Sequence, residues 1–183
     1  KGLEPLATLV LAQDAATDPV AEAAAFVDAA KGVESVEAAL AGARDIIAEW
    51  VNEDQTARTR VRELFHQEGA FRTKVVAGKE TEGCKFEDYF DWEEPVAKAP
   101  SHRILAMRRG ARDGFLRLQV TAPEDQATRI VESLFVKGAS VCAAQVREAA
   151  LDGYKRLLAP SMETEILTET KDRADQEAIR VFA

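Results

Sequence analysis

The stretch SVEAALAGARDIIAEW, residues 35–50, decides the fold class. Val36, Leu40, Ala43, Ile47 and Trp50 recur at steps of four and three, which places them on one stripe of an amphipathic helix. Ser35, just ahead of the stripe, is a residue type that caps a helix N-terminus through its side-chain oxygen. Upstream, Gly32 punctuates the chain, and Asp18-Pro19 predicts a helix over Val20–Ala30 with Asp as cap and Pro in the first turn. Pro5 fits the first turn of a helix over Leu3–Gln13. Downstream, Asp54 opens a fourth helix with Val61, Leu64 and Phe65 inward, ended by Gly69. Residues 1–69 therefore read as short helices rich in alanine, the residue of lowest helix cost.

The middle of the chain changes period. Leu116, Leu118 and Val120 alternate with Phe115, Arg117 and Gln119, as in a strand with one buried face. Phe71–Ala77 is rich in β-branched residues and ends at Gly78, so two short antiparallel strands are expected. The excursion between them is too long for a bare loop. It carries Phe86, Tyr89, Phe90 and Trp92, an acidic run, and a helix beginning near Ser101, with Ser101 as its cap. Tyr89 and Trp92, with apolar bodies and polar tips, suit a segment that skirts the surface while pinned to a core.

Helical spacing returns after Pro123, with Ile130, Leu134 and Phe135 inward and Gly138 as terminator. A helix from about Ser140 is expected to stop at Pro160. The last helix is expected to open at Ser161, with acidic residues in its first turn and Met162, Ile166, Ala174, Ala178 and Phe182 on its apolar side. The sum is a mainly α protein, a multi-helix bundle with a small two-stranded β element in the middle.

The 183 residues carry a net charge of −8 with 46% hydrophobic residues. That composition excludes a disordered chain and a globally basic nucleic-acid binder, though not a local basic patch. No apolar run approaches the roughly 20 residues of a membrane span. Two cysteines outside any C-x-x-C pair point to a reduced, cytoplasmic protein without a thiolate zinc site. Lys1 is not an initiator Met, and the chain stops inside an amphipathic pattern. Both ends are therefore expected to be cuts in a longer protein.

Catalytic patterns are weak. Gly78-Lys79 lacks the glycine five positions earlier and the following Ser or Thr of a phosphate loop, so it reads as a turn. Glu80, Glu82, Glu87, Asp88, Asp91, Glu93 and Glu94 crowd one stretch without a framework to converge them on metal ions, so a solvated acidic loop is expected. Ser101 and His102, adjacent on a helix, diverge by about 100° and cannot act as nucleophile and base. His66 suits the end of its helix. Two histidines without an H-E-x-x-H pattern make a histidine metal site a poor reading. No cofactor is implied.

Charge clustering is the better signal. Residues 57–79 hold Arg58, Arg60, Arg62, Arg72, Lys74 and Lys79 against Glu63 and Glu68. Residues 101–120 hold Arg103, Arg108, Arg109, Arg112 and Arg117 against Asp113 alone. If the strands pair, both stretches form one positive face able to hold phosphates, with Lys74, Lys79, Arg103, Arg108, Arg109 and Arg112 as candidate contacts. The competing reading pairs these cations with the acidic loop or a neighbouring domain.

Several segments carry a family resemblance: KGLEPLA (1–7), GARDIIAE (42–49), KVVAGKE (74–80), KFEDYFD (85–91), Glu94-Pro95, PSHRILAMRRG (100–110), Asp113-Gly114, LLAPS (157–161) and ADQEAIRVFA (174–183). Together they resemble the N-terminal helical region of the bacterial Tex family of transcription accessory proteins, related to the eukaryotic elongation factor Spt-six. Residues 121–147 carry least of the likeness.

The resemblance implies one region over 1–183, with helices over 1–69, a small β element and acidic excursion over 70–122, and long helices over 123–183. These lead toward an RNase H-like (YqgF) domain outside the chain. It further implies helix-hairpin-helix elements and a C-terminal OB fold of the ribosomal S-one type, to which RNA binding is largely attributed. The expected role is a non-catalytic scaffold of an RNA-binding, transcription-associated protein. RNA or DNA would be met through the full-length protein, and RNA polymerase or an associated factor is a further candidate partner. The alternatives are a fragment of a metal-dependent nucleic-acid enzyme and a protein-docking module.

Overall fold

A computed structural model describes residues 2–183. In chain order the helices are α1 (Glu4–Ala12), α2 (Pro19–Ala24), α3 (Val36–Glu53), α4 (Gln55–Glu68), α5 (Ser101–Arg112), α6 (Glu124–Phe135), α7 (Val141–Gly153) and α8 (Ala159–Phe182). The strands are β1 (Ala70–Val75), β2 (Asp91–Pro95) and β3 (Leu116–Thr121). The protein is thus mainly helical with one small sheet. Two compact units divide the chain: residues 1–60 with 125–160, and residues 61–124 with 161–183.

The first unit is helix against helix. Ser35 caps α3 by accepting from the Ala38 N–H at 3.0 Å, and Asp18 caps α2 through the Val20 N–H. The α2 helix ends at Ala24, earlier than its apolar run suggests, and a single 3-10 turn follows at Ala29–Lys31. The α3 stripe buries Leu40, Ala43 and Ile47, and α3 packs against α7, α1 and α2. A Cβ on Gly153 would meet the Ala48 carbonyl oxygen at 2.9 Å, so glycine is what lets the two backbones approach. Gln13, 8% exposed and in the left-handed region at φ 54°, ends α1. Its amide donates to Phe135 O and accepts from Lys137 N, both at 2.7 Å, tying α1 to the chain after α6.

Pro160 does not stop the helical chain. Residues 154–158 form a π turn in which the Ala159 N–H reaches Tyr154 O. The wider turn accommodates the proline, whose ring lacks an N–H, inside the first turn of α8. As a result α8 opens at Ala159, and the acidic residues Glu163 and Glu165 lie past its first turn.

The second unit is built on the sheet, in the order β2-β1-β3 and antiparallel throughout. The pairing of β1 with β3 was legible in the sequence; the third strand, β2, was not. Phe71 and Thr73 are buried on one face of β1 and Arg72 and Lys74 are exposed on the other, so the alternation has its ordinary cause. Helix α5 packs on β3 through Ile104, Met107 and Gly110. A Cβ on Gly110 would come within 2.5 Å of Leu116 Cδ1, so only glycine permits this approach.

Candidate nucleic-acid interface

Only the first part of the acidic run is an exposed connection, with Glu80 and Glu82 in turns and Glu87 and Asp88 in a 3-10 segment, Cys84–Tyr89. Asp91–Pro95 is a strand whose register sets Glu93 opposite Arg72 and Asp91 opposite Lys74. Both pairs close, Arg72 Nε to Glu93 Oε2 at 3.2 Å and Lys74 Nζ to Asp91 Oδ1 at 2.6 Å. Arg117 lies beside Lys74 across the other pairing, so the outer face of the sheet offers three cations against two carboxylates.

Glu94 points the other way and is 6% exposed. It accepts a two-toothed grip from Arg103 on α5, with Nη2 to Oε1 at 2.6 Å and Nε to Oε2 at 3.0 Å, and a further bond from Trp92 Nε1 at 3.3 Å. The hydrogen bond to Glu94 holds the Arg103 guanidinium still more firmly charged than an ordinary arginine. Burial beside this pair pushes the Tyr89 hydroxyl up, against the opposing pull of Arg103. Tyr89 meets Trp92 edge to face at 6.0 Å.

Three of the six candidate contacts are therefore occupied within the molecule: Lys74 by Asp91, Arg103 by Glu94, and Lys79 by Glu82 at 3.1 Å. Gly78 belongs to a turn closed by the Lys79 N–H on Val76 O and adopts φ 84°, which accounts for it as a glycine. Ser101 is the first residue of α5 and not its cap; Pro100 holds that position, and the serine hydroxyl bonds Glu177.

The other three candidates come together. Helix α5 carries Arg108, Arg109 and Arg112 along a groove of about 560 Å³, with α8 supplying Leu167, Lys171 and Asp175. Leu105 and Leu118 complete an apolar floor. Arg108 is half-buried, while Arg109 and Arg112 are exposed. Neither Arg108 nor Arg109 makes an ion pair among the described residues, and Arg112 contacts only its neighbour Asp113, at 3.2 Å. Lys171 is bound to Asp175 at 2.6 Å. The single positive face expected from paired strands is thus two faces. Strand alternation puts Arg72, Lys74 and Arg117 on the side of the sheet opposite Leu118, which lines the groove. Lys171 and Asp175 were missed because nothing in the local sequence ties α8 to α5.

Helix α8 also fixes the walls. Glu165 binds Arg62 at 2.8 Å, Glu169 meets His66 Nε2 at 3.0 Å, and Glu163 accepts the outward Val120 N–H of β3 at 3.1 Å. The Glu165 hydrogen bond also raises the pKa of Arg62. Glu163 covers a backbone donor that an edge strand would otherwise leave open. No group of three or more metal-ligating side chains is gathered among the described residues, and no described helix is long and apolar enough to cross a membrane.

Comparison with known proteins gives the family. The chain is 38% identical to Protein tex of Bordetella pertussis over 196 aligned residues, covering all of this chain and 25% of that protein. It is 36% identical to the transcriptional accessory protein Tex of Neisseria gonorrhoeae, again over its whole length and 24% of the relative. With YdcI of Bacillus subtilis, an uncharacterized protein, identity is 34% over all of this chain and 26% of the relative. The chain thus spans about a quarter of the length of these relatives. The sequence model of the Tex central region matches residues 14–182, which assigns the segment to the central region where the resemblance had suggested the N-terminal one. The chain belongs to the Tex central region-like family.

Proposed function

We propose that this chain is a non-catalytic helical scaffold within a transcription-associated, nucleic-acid-binding Tex-like protein of the cytoplasm, and that the arginines of α5 give it an auxiliary anion-binding face. Its work is to position neighbouring RNase H-like and OB-fold domains, which carry the main affinity for RNA. The observation that carries the reading is the division of labour among charges in residues 61–124 and 161–183. Arg62, Arg72, Lys74 and Arg103 fasten one element to another, while Arg108, Arg109 and Arg112 line a groove. Arg108 and Arg109, without an ion-pair partner among the described residues, and Arg112, held only by its neighbour Asp113, suit the two-toothed grip of phosphate oxygens.

A gel-shift titration against single-stranded RNA and duplex DNA, with and without magnesium, tests it. The expected result is binding that weakens steeply with salt, is lost in R108E/R109E/R112E, and is accompanied by no cleavage. Magnesium-dependent cleavage lost in Asp88→Asn or Asp91→Asn would place the chain among nucleic-acid enzymes instead.

A second reading has its own observation. Ile179, Val181 and Phe182 are exposed, Phe182 at 91%, and Val181 and Phe182 line an apolar notch with Pro100, His102 and Leu105. This is the kind of surface a protein partner covers. A chain that binds no nucleic acid at low salt would leave this docking role in its place.

A further inference from the structure

We infer that the groove between α5 and α8 takes the backbone of a single-stranded nucleic acid, and that Asp175 is a built-in competitor which the incoming phosphates displace from Lys171. The inference rests on the reading that the α5 arginines meet nucleic acid, and it adds the form of the ligand and the residue that tunes its binding.

The form of the ligand follows from where the cations stand. Arg108 is half-buried in a groove with helical walls and a leucine floor. A duplex is stiff over about 150 base pairs and presents its phosphates on a broad convex surface, which bridges such a groove without entering it. A single strand bends into it. The floor is Leu105, Leu118 and Leu167, with no aromatic ring on which bases would stack. Phosphate contacts then supply the affinity and the site is tolerant of sequence.

Asp175 follows from the geometry on α8. Lys171 and Asp175 both line the groove, four residues apart, joined at 2.6 Å and each 44% exposed. With the lysine N-terminal to the acid, this is the less stable order for such a pair on a helix, so the contact is readily given up. The carboxylate satisfies Lys171 within the groove and repels any anion that approaches. A lone phosphate gains one contact and loses the contest. A linked chain of phosphates engages the three arginines first and then meets Lys171 at high effective concentration. Asp175 thereby selects a polyanion over a small one.

Fluorescence anisotropy of the 183-residue chain with a short labelled oligouridylate, a duplex of equal length and inorganic phosphate as competitor tests this. The single strand should bind at least about tenfold tighter than the duplex, and millimolar phosphate should displace little of it. Asp175→Asn should tighten single-strand binding about threefold, the scale of one half-exposed ion pair. Asp172→Asn removes the same charge from an exposed position of α8 outside the groove and should change nothing. The gain from D175N should vanish in a K171Q background.

Equal gains from D172N and D175N, a gain that persists in K171Q, or duplex binding as tight as single-strand binding would each overturn the inference. The underlying reading fails separately: R108E/R109E would then leave wild-type binding intact. Loss of binding in R108E/R109E together with no effect of D175N would spare the reading and remove only the competitor.

Discussion

Two basic regions of one unit put the same side-chain chemistry to different uses. On β1, Arg72 and Lys74 stand beside the carboxylates of β2, in register and in contact. On the last turns of α5, Arg108, Arg109 and Arg112 have a helix end and a groove for company. The first group joins strands; the second remains available. Local density of positive charge does not distinguish them. What separates them is whether a strand of opposite charge lies alongside.

The helix end contributes as well. Cations in the last turn are favoured by the helix dipole, which suits Arg109, with no carboxylate partner, and Arg112, with only its neighbour Asp113.

The contrast can be broken at its foundation first. Phe71 is fully buried under the paired cations of β1. Phe71→Ala should cost about 3–5 kcal/mol, read as the shift of a urea unfolding midpoint. Arg109→Ala, on the exposed face, should leave that midpoint within about 0.5 kcal/mol of wild type.

Next is the binding contrast. R108E/R109E/R112E should lower single-strand affinity by more than about tenfold and flatten its salt dependence, at unchanged fold by circular dichroism. Glu94→Gln sharpens the comparison from the other side. It removes the charge that Arg103 grips, so the Tm should fall by a few degrees while affinity stays as it was. The smallest effect belongs to R72Q/K74Q, which should change affinity by less than about twofold because those cations are already spoken for. A loss there equal to that of the α5 variant would erase the distinction.

What the sequence made legible was the local part. The stripe of α3, the caps at Asp18 and Ser35, and the alternation of β3 all survive in place, because each is set by neighbours along the chain. Strand β2 was illegible. Asp91-Trp92-Glu93-Glu94-Pro95 has no β-branched residue and ends in proline; it is a strand through its backbone pairing with β1, and its carboxylates meet Arg72, Lys74 and Arg103 from elsewhere in the chain. Pro160 was misread for a similar reason: a π turn, invisible to a rule about single residues, accommodates it. Arg108, Arg109 and Arg112 were legible as candidates. Their separation from Lys74, Lys79 and Arg103 waited on tertiary pairing, and so did the presence of Lys171 beside them.

A titration of the chain with an oligouridylate, followed in nitrogen–proton spectra of the arginine side chains, tests the central claim most directly. The Nε–Hε signals of Arg108, Arg109 and Arg112 should move in step with added ligand, while those of Arg62, Arg72 and Arg103 hold still in their carboxylate contacts. Movement of Arg72 and Arg103 with the three α5 signals unchanged would contradict it.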